Sequence, residues 1–133
     1  MENIPSHAIS RLTLAIGIVA VIGLVAIILF FAVGGFWGPL NDLSIAIEAI
    51  LCAVLAWMLH PVFRTTWSPR SSQPMLIAAV AGGIIVSIGS AFVIFKVTGY
   101  FLAGLIVFLG YAFIGLWLLA LNYHSQRHGI WPP

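Results

Sequence analysis

Charge is scarce in this sequence of 133 residues, which has five Lys or Arg and three Asp or Glu side chains. Charged residues make up 6% of the chain and hydrophobic residues 62%, whereas charged residues average about 25% of soluble domains. This shortage excludes an ordinary soluble domain, and it leaves no basic surface for nucleic acid. We therefore expect the whole chain, residues 1–133, to form one domain whose main partner is the lipid bilayer.

Catalytic and metal-binding motifs are also missing. The single cysteine, Cys52, excludes an intrachain disulfide. The sequence contains no phosphate-binding loop, nucleophile elbow or pair of carboxylates. His60 and His124 end two apolar runs on the same predicted side, where solvated caps of helix C-termini are more usual than haem ligands. We predict no enzymatic activity, no metal site and no cofactor.

Long apolar runs are what the sequence does contain. A helix needs about 20 apolar residues to cross about 30 Å of hydrocarbon. Four runs meet this requirement: residues 12–33, 40–60, 75–95 and 99–121. Pro39 and Pro74 are predicted to lie in first helical turns, where a missing N–H is tolerated, and Pro61 to follow the end of the second helix. The runs predict an all-α fold, a transmembrane four-helix bundle.

The distribution of basic residues predicts the orientation, because Lys and Arg favour the cytoplasmic side of a membrane. One side of the predicted bundle carries Arg11, Arg64, Arg70 and Arg127. The opposite side has only Lys96. Both termini are therefore predicted to be cytoplasmic, in a multi-pass protein of the plasma (inner) membrane.

The two halves of the sequence show a weak internal similarity. At an offset of 64 residues, "FAVGGFW" (31–37) aligns with "FKVTGYF" (95–101), and His60 aligns with His124. One interpretation is a duplicated helical hairpin. Such a repeat would be parallel, because each half begins and ends on the same side, and it would lack the inverted symmetry of many secondary transporters.

Small residues form a ladder on the third predicted helix. They recur every four residues and share one stripe of the helix: Ala79, Gly83, Ser87 and Ala91. Helices in lipid associate mainly by close packing through small residues. We predict that this stripe packs against another helix; the alternative is a serine-lined path for a substrate.

Polar residues share one face of the second predicted helix. They follow an i, i+3, i+7, i+11 spacing: Asn41, Ser44, Glu48 and Cys52. Asp42 stands beside this face. Asn41 and Asp42 are predicted to occupy the first turn of this helix, where an amide or carboxylate caps free N–H groups and complements the positive helix end.

Glu48 differs from its polar neighbours because it lies about 9 Å deeper than Asp42, well inside the hydrocarbon. A carboxylate there is costly, so Glu48 is predicted to be neutral, to accept hydrogen bonds from another helix, or to pair with Lys96. Three roles are open to Glu48: a structural one, as a contact between helices or a buried pair, the handling of protons or cations, and contact with a partner chain.

Two stretches of the sequence, "FWGPLNDLSIAIEAIL" (36–51) and "GYAFIGLWLLALN" (110–122), resemble segments of uncharacterised bacterial multi-pass membrane proteins. The resemblance covers most of the second to fourth spans and implies no particular activity. It also implies that relatives continue into further helices after a turn similar to "GIWPP" (129–133), so that this chain is a short or truncated member.

Small four-helix multidrug exporters share the size of this chain and have one membrane acid, but they carry that acid in the first helix. Glu48 lies in the second predicted helix, which counts against membership of that family.

Two functions are consistent with these features. The first is a small structural or accessory membrane subunit, which assembles with itself or with a larger membrane complex. The alternative is a proton- or cation-coupled transporter of a small lipophilic solute, in which Glu48 carries the coupling charge. A transporter requires a wet cavity that reaches Glu48, whereas an accessory subunit requires a donor for the acid.

Overall fold

The computed structural model describes residues 6–64 and 69–127, and these residues form four long α-helices. They are α1 (Ser6–Val33), α2 (Trp37–Arg64), α3 (Pro69–Ile94) and α4 (Tyr100–Arg127). Each helix is long and apolar enough to cross a membrane. The predicted all-α fold with four spans is confirmed, whereas the side on which the termini lie stays a prediction.

The helices extend beyond the predicted spans, most clearly at two prolines. Pro61 was expected after the end of the second helix, but α2 continues to Arg64. Pro74 was expected in a first turn, but α3 begins at Pro69. Both predicted boundaries are wrong because an apolar run marks only the hydrocarbon-embedded part of a helix. Near a helix end, a proline forfeits one backbone hydrogen bond without preventing further turns.

Two short turns on the same side of the membrane join α1 to α2 and α3 to α4. In the first, Gly34 and Gly35 have φ of 74° and 70°, and Gly34 N–H donates to the Phe30 carbonyl at 2.8 Å. Glycine adopts this left-handed conformation without the steric penalty that a Cβ brings. The turn therefore reverses the chain within three residues.

The second turn has a lysine in the left-handed position. Lys96 has φ of 55°. Its N–H donates to the Val93 carbonyl at 3.1 Å, and Val97 N–H donates to the Phe92 carbonyl at 3.0 Å. This pair of bonds is the Schellman motif, which closes helices most often with glycine at this position.

The four helices form an open array. Among the described residues, extensive contacts join α1 to α2, α2 to α3, and α3 to α4. The first and last helices lack such contact. We refer to the space between α1 and α4 as the α1–α4 gap, and we infer that α2 forms its floor.

Buried positions recur every seven residues on three of the helices. They are Ala49, Ala56 and Phe63 on α2, Ser72, Ala79 and Val86 on α3, and Ala103, Gly110, Trp117 and His124 on α4. A seven-residue repeat is typical of helices that pack at about +20° with interlocking side chains. Helices α2, α3 and α4 therefore form the closely packed part of the chain.

The predicted orientation is testable with single cysteines in a Cys52→Ala background. Cysteine at Ser71, in the first turn of α3, should react with an impermeant reagent only from the cytoplasmic side. Cysteine at Gly99, an exposed residue of the α3–α4 turn, should react only from outside intact cells, because the basic residues lie on the other side. Labelling of Ser71→Cys from outside would reverse the assignment.

Candidate functional site

Glu48 lies on the face of α2 that forms the floor of the α1–α4 gap. With 3.6 residues per turn, it projects between Ser44 and Ala49. Ser44 faces α1, because a Cβ built on Gly23 of that helix would lie 3.3 Å from the Ser44 Cβ. Ala49 faces α3, because a Cβ built on Gly83 would lie 2.9 Å from the Ala49 carbonyl oxygen. Glu48 is left between these contacts, half-buried.

The Glu48 carboxyl group has titratable neighbours, but no described side chain forms a hydrogen bond with it. Cys52, one turn along α2, and Tyr111 of α4 lie within electrostatic range of it. Among residues 6–64 and 69–127, no side chain donates a hydrogen bond to Glu48 or forms an ion pair with it. Its carboxyl group has no hydrogen-bonding partner in the part of the chain that the structure describes.

The structure brings Lys96 together with Asn41 and Asp42 and leaves it apart from Glu48. These three residues line a cavity of about 280 Å³ at the end of the array that carries the two short turns. The remaining lining residues are mostly apolar: Ile27, Phe30, Gly38, Pro39, Val93, Ile94, Thr98 and Tyr100. The Asn41 side chain lies beside the Asp42 carboxylate. Because α2 begins at Trp37, both residues lie beyond its first turn, and the prediction that they occupy that turn is wrong.

Ser44, the remaining predicted member of the polar face, has a local partner. Its hydroxyl donates to the Leu40 carbonyl of its own helix at 2.9 Å, and its side chain is buried against α1. Such a bond satisfies a hydroxyl in the membrane without help from another helix. Ser44 therefore contributes to the α1–α2 contact through its small size.

The predicted small-residue ladder lies along α3 toward α2. Ala79 and Gly83 are buried, whereas Ser87 and Ala91 are half-buried. The Ser87 hydroxyl donates to the Gly83 carbonyl at 2.8 Å. Gly83, Ser87 and Ala91 also line an apolar surface groove between α2 and α3, beside the exposed Trp57.

The closest helix contact lies on another face of α3. A Cβ on Gly110 of α4 would lie 2.7 Å from the Gly82 carbonyl oxygen and 2.7 Å from the Val86 nitrogen. A Cβ on Gly89 would lie 3.0 Å from the Val107 nitrogen. The predicted ladder joined residues four apart, whereas Gly82 and Gly89, like Ala103 and Gly110, are seven apart.

His124 is buried near the end of α4, where a solvated cap was expected. It is 7% exposed, and its ring centroid lies 6.2 Å from that of Phe63, edge to face. The expectation was wrong because α2 and α4 both extend beyond their apolar runs and carry these rings into contact. Among the described residues, no three His, Cys, Asp or Glu side chains group closely enough to hold a metal ion.

Comparison with known proteins returns no match. No family model fits the chain, and no curated protein or solved structure is significantly similar to it. The resemblance to bacterial multi-pass proteins stays a prediction, and its "GIWPP" turn lies outside the described residues. The function has to be inferred from Glu48, the α1–α4 gap and the cavity.

Proposed function

We propose that this chain is an accessory subunit of the plasma membrane, without enzymatic activity, that binds a transmembrane helix of a partner chain in the α1–α4 gap. The observation that carries this proposal is the position of Glu48. Its carboxyl group lies half-buried on the floor of the gap and has no hydrogen-bond donor among the described residues.

A carboxyl group in hydrocarbon is stabilised by a donor, because lipid tails offer none. Placing an acidic residue at the centre of a membrane helix costs about 2.5–3.5 kcal/mol on insertion scales. A partner helix with a hydroxyl, amide or basic side chain would recover part of this cost. Interhelical hydrogen bonds in membranes typically contribute about 0.6–2 kcal/mol.

The α4 wall of the gap also suits a close helix contact. Gly104 and Gly115 lie on the same side of α4 as Tyr111, at an i, i+7, i+11 spacing. A Cβ built on either glycine would meet no other atom within 4 Å. Two glycines whose Cβ positions meet no atom of another described helix leave a shallow surface on which a partner backbone can approach closely.

The transporter alternative has less support. The cavity at the turn side includes Asn41 and Asp42 in its lining, but Glu48 is not among its lining residues. A coupled carrier needs a path from water to its membrane acid. This alternative makes a separate prediction, because a carrier would lose pH-gradient-driven flux in liposomes on Glu48→Gln substitution.

Photocrosslinking in native membranes tests the accessory function. Benzoylphenylalanine at Gly115, on the gap wall, should give a protein adduct of discrete mass, and the mass should show whether the partner is a second copy or a different protein. Leu116 is the matched control, because it is the next residue and projects about 100° away, with half of its surface exposed to lipid. Equal adduct formation from both positions, or none from Gly115, would contradict the proposal.

Substitution of Glu48 tests whether the carboxyl group holds the partner. Glu48→Gln should retain most of the Gly115 adduct, because an amide still accepts hydrogen bonds. Glu48→Leu should reduce the adduct about fivefold, as expected when a contact of about 1 kcal/mol is lost. The thermal stability of the isolated chain should not fall with either substitution, because no described residue bonds to Glu48. Full adduct formation by Glu48→Leu would show that the acid has another role.

A further inference from the structure

The cavity at the turn side carries one acidic and one basic side chain that come from different elements. Asp42 lies on α2 and Lys96 in the α3–α4 turn. Neither forms an ion pair with another side chain in the described ranges 6–64 and 69–127. The cavity therefore has an unpaired negative group and an unpaired positive group in its lining. A ligand that carries both charges can bind to the two groups at once.

The backbone at Lys96 places the lysine at this cavity at some energetic cost. The Schellman motif requires a left-handed residue, and glycine adopts that conformation freely. A residue with a Cβ is disfavoured there by about 1–2 kcal/mol. Glycine would end the helix in the same conformation at lower cost. The lysine at this position therefore needs another explanation, and its ammonium group is the feature that glycine lacks.

The size and surroundings of the cavity limit the ligand to a small zwitterion with apolar attachments. A volume of about 280 Å³ lies at the lower end of the range of about 300–1,000 Å³ for small-molecule sites. Phe95 and Phe101, the chain neighbours of the lining residues Lys96 and Tyr100, are 76% and 80% exposed. An apolar surface of this kind beside a charged cavity is suited to acyl chains.

We propose that this cavity binds the headgroup of a phospholipid that carries a primary amine. The lipid ammonium group donates hydrogen bonds to the Asp42 carboxylate, beside which the Asn41 side chain lies. The Lys96 ammonium group contacts the lipid phosphate. The acyl chains extend over the exposed aromatic surface. This inference concerns the turn side of the array and is independent of the partner helix proposed at Glu48.

Native mass spectrometry of the full chain, exchanged into nanodiscs of stated composition, tests the proposal. The discs contain phosphatidylglycerol with either phosphatidylethanolamine or phosphatidylcholine. Both zwitterionic lipids have the phosphate, but the choline group has no N–H to donate. The chain should retain phosphatidylethanolamine about tenfold more strongly, the effect of one charge-assisted hydrogen bond. Equal retention of the two lipids would overturn the proposal.

Single substitutions test the contact with the lipid amine and the contact with the lipid phosphate separately. Asp42→Ala should abolish the preference for phosphatidylethanolamine, because alanine offers no side-chain acceptor, and Lys96→Gln should weaken the retention of both zwitterionic lipids. Arg127→Gln is the control, because Arg127 is an exposed cation at the other end of the array and its loss should change neither quantity. A preference that survives Asp42→Ala in a variant of unchanged melting temperature would overturn the assignment.

Free O-phosphoethanolamine distinguishes a lipid from a soluble ligand with the same chemistry. If the acyl chains contribute to binding, a large excess of the free headgroup should not displace the retained lipid. Displacement at millimolar concentrations would overturn the lipid as occupant and make the cavity a site for a soluble zwitterion.

Discussion

Replacement of Gly110 by alanine is expected to destabilise the chain by about 2 kcal/mol. The new methyl group would lie 2.7 Å from the Gly82 carbonyl oxygen and from the Val86 nitrogen. Both are backbone atoms, so α3 and α4 must move apart as bodies. Overpacking of this kind costs about 1–3 kcal/mol, and the better helix propensity of alanine, up to about 1 kcal/mol, offsets only part of it. The midpoint of thermal or SDS-induced unfolding in detergent measures the effect.

Gly115→Ala is the matched control on the same helix. A Cβ at Gly115 meets no other atom within 4 Å, so the substitution should leave stability unchanged or raise it slightly through helix propensity. Similar unfolding midpoints for Gly110→Ala and Gly115→Ala would contradict the close contact between α3 and α4.

Replacement of Trp117 by alanine is expected to cost about 3 kcal/mol. Trp117 is 4% exposed and packs with Ala56 of α2 and Ala79 of α3. Removal of an indole ring between two alanines leaves a cavity that its neighbours cannot fill. Large-to-small substitutions of buried aromatic residues cost about 3–5 kcal/mol in soluble cores, and we take the lower limit because lipid tails compete with the protein for apolar contacts.

Trp57 provides the comparison for Trp117, because it is 68% exposed on the surface of α2. Trp57→Ala should change the unfolding midpoint little, since lipid or detergent fills the space left by the indole. A large loss of stability from Trp57→Ala, or a small one from Trp117→Ala, would mean that α4 does not pack across α2 and α3 in this way.

The number and type of helices could be predicted from the sequence because the bilayer fixes the length of an apolar run. The helix ends could not. Pro61 and Pro74 indicate where a backbone bond is lost, but they do not show whether the helix continues. It does so through Val62 to Arg64 after Pro61, and through the mostly polar residues 69–73 before Pro74. The burial of His124 followed from those additional turns and was missed with them.

The polar residues could be identified from the sequence, but their grouping could not. Helical spacing placed Asn41, Ser44 and Glu48 on one face, and the structure distributes them among the cavity, the α1 contact and the floor of the gap. Lys96 was considered as a partner for Glu48 because it was the only cation on that side. The direction in which the Lys96 side chain projects depends on the φ angle of that residue. The apolar residues on either side of Lys96 give no indication that its backbone is left-handed.

The one-sided attachment of α1 determines how the chain would respond to mechanical force. Three helices are linked through interlocking layers on α3, whereas α1 contacts only α2 extensively and is joined to it by a turn with two left-handed glycines. Tension applied at the amino terminus would act first on the α1–α2 contact, because α1 makes no other extensive contact among the described residues. Extraction from the bilayer would then proceed in two stages. Helix α1 would leave first at low force, and the unit of α2, α3 and α4 would follow at higher force.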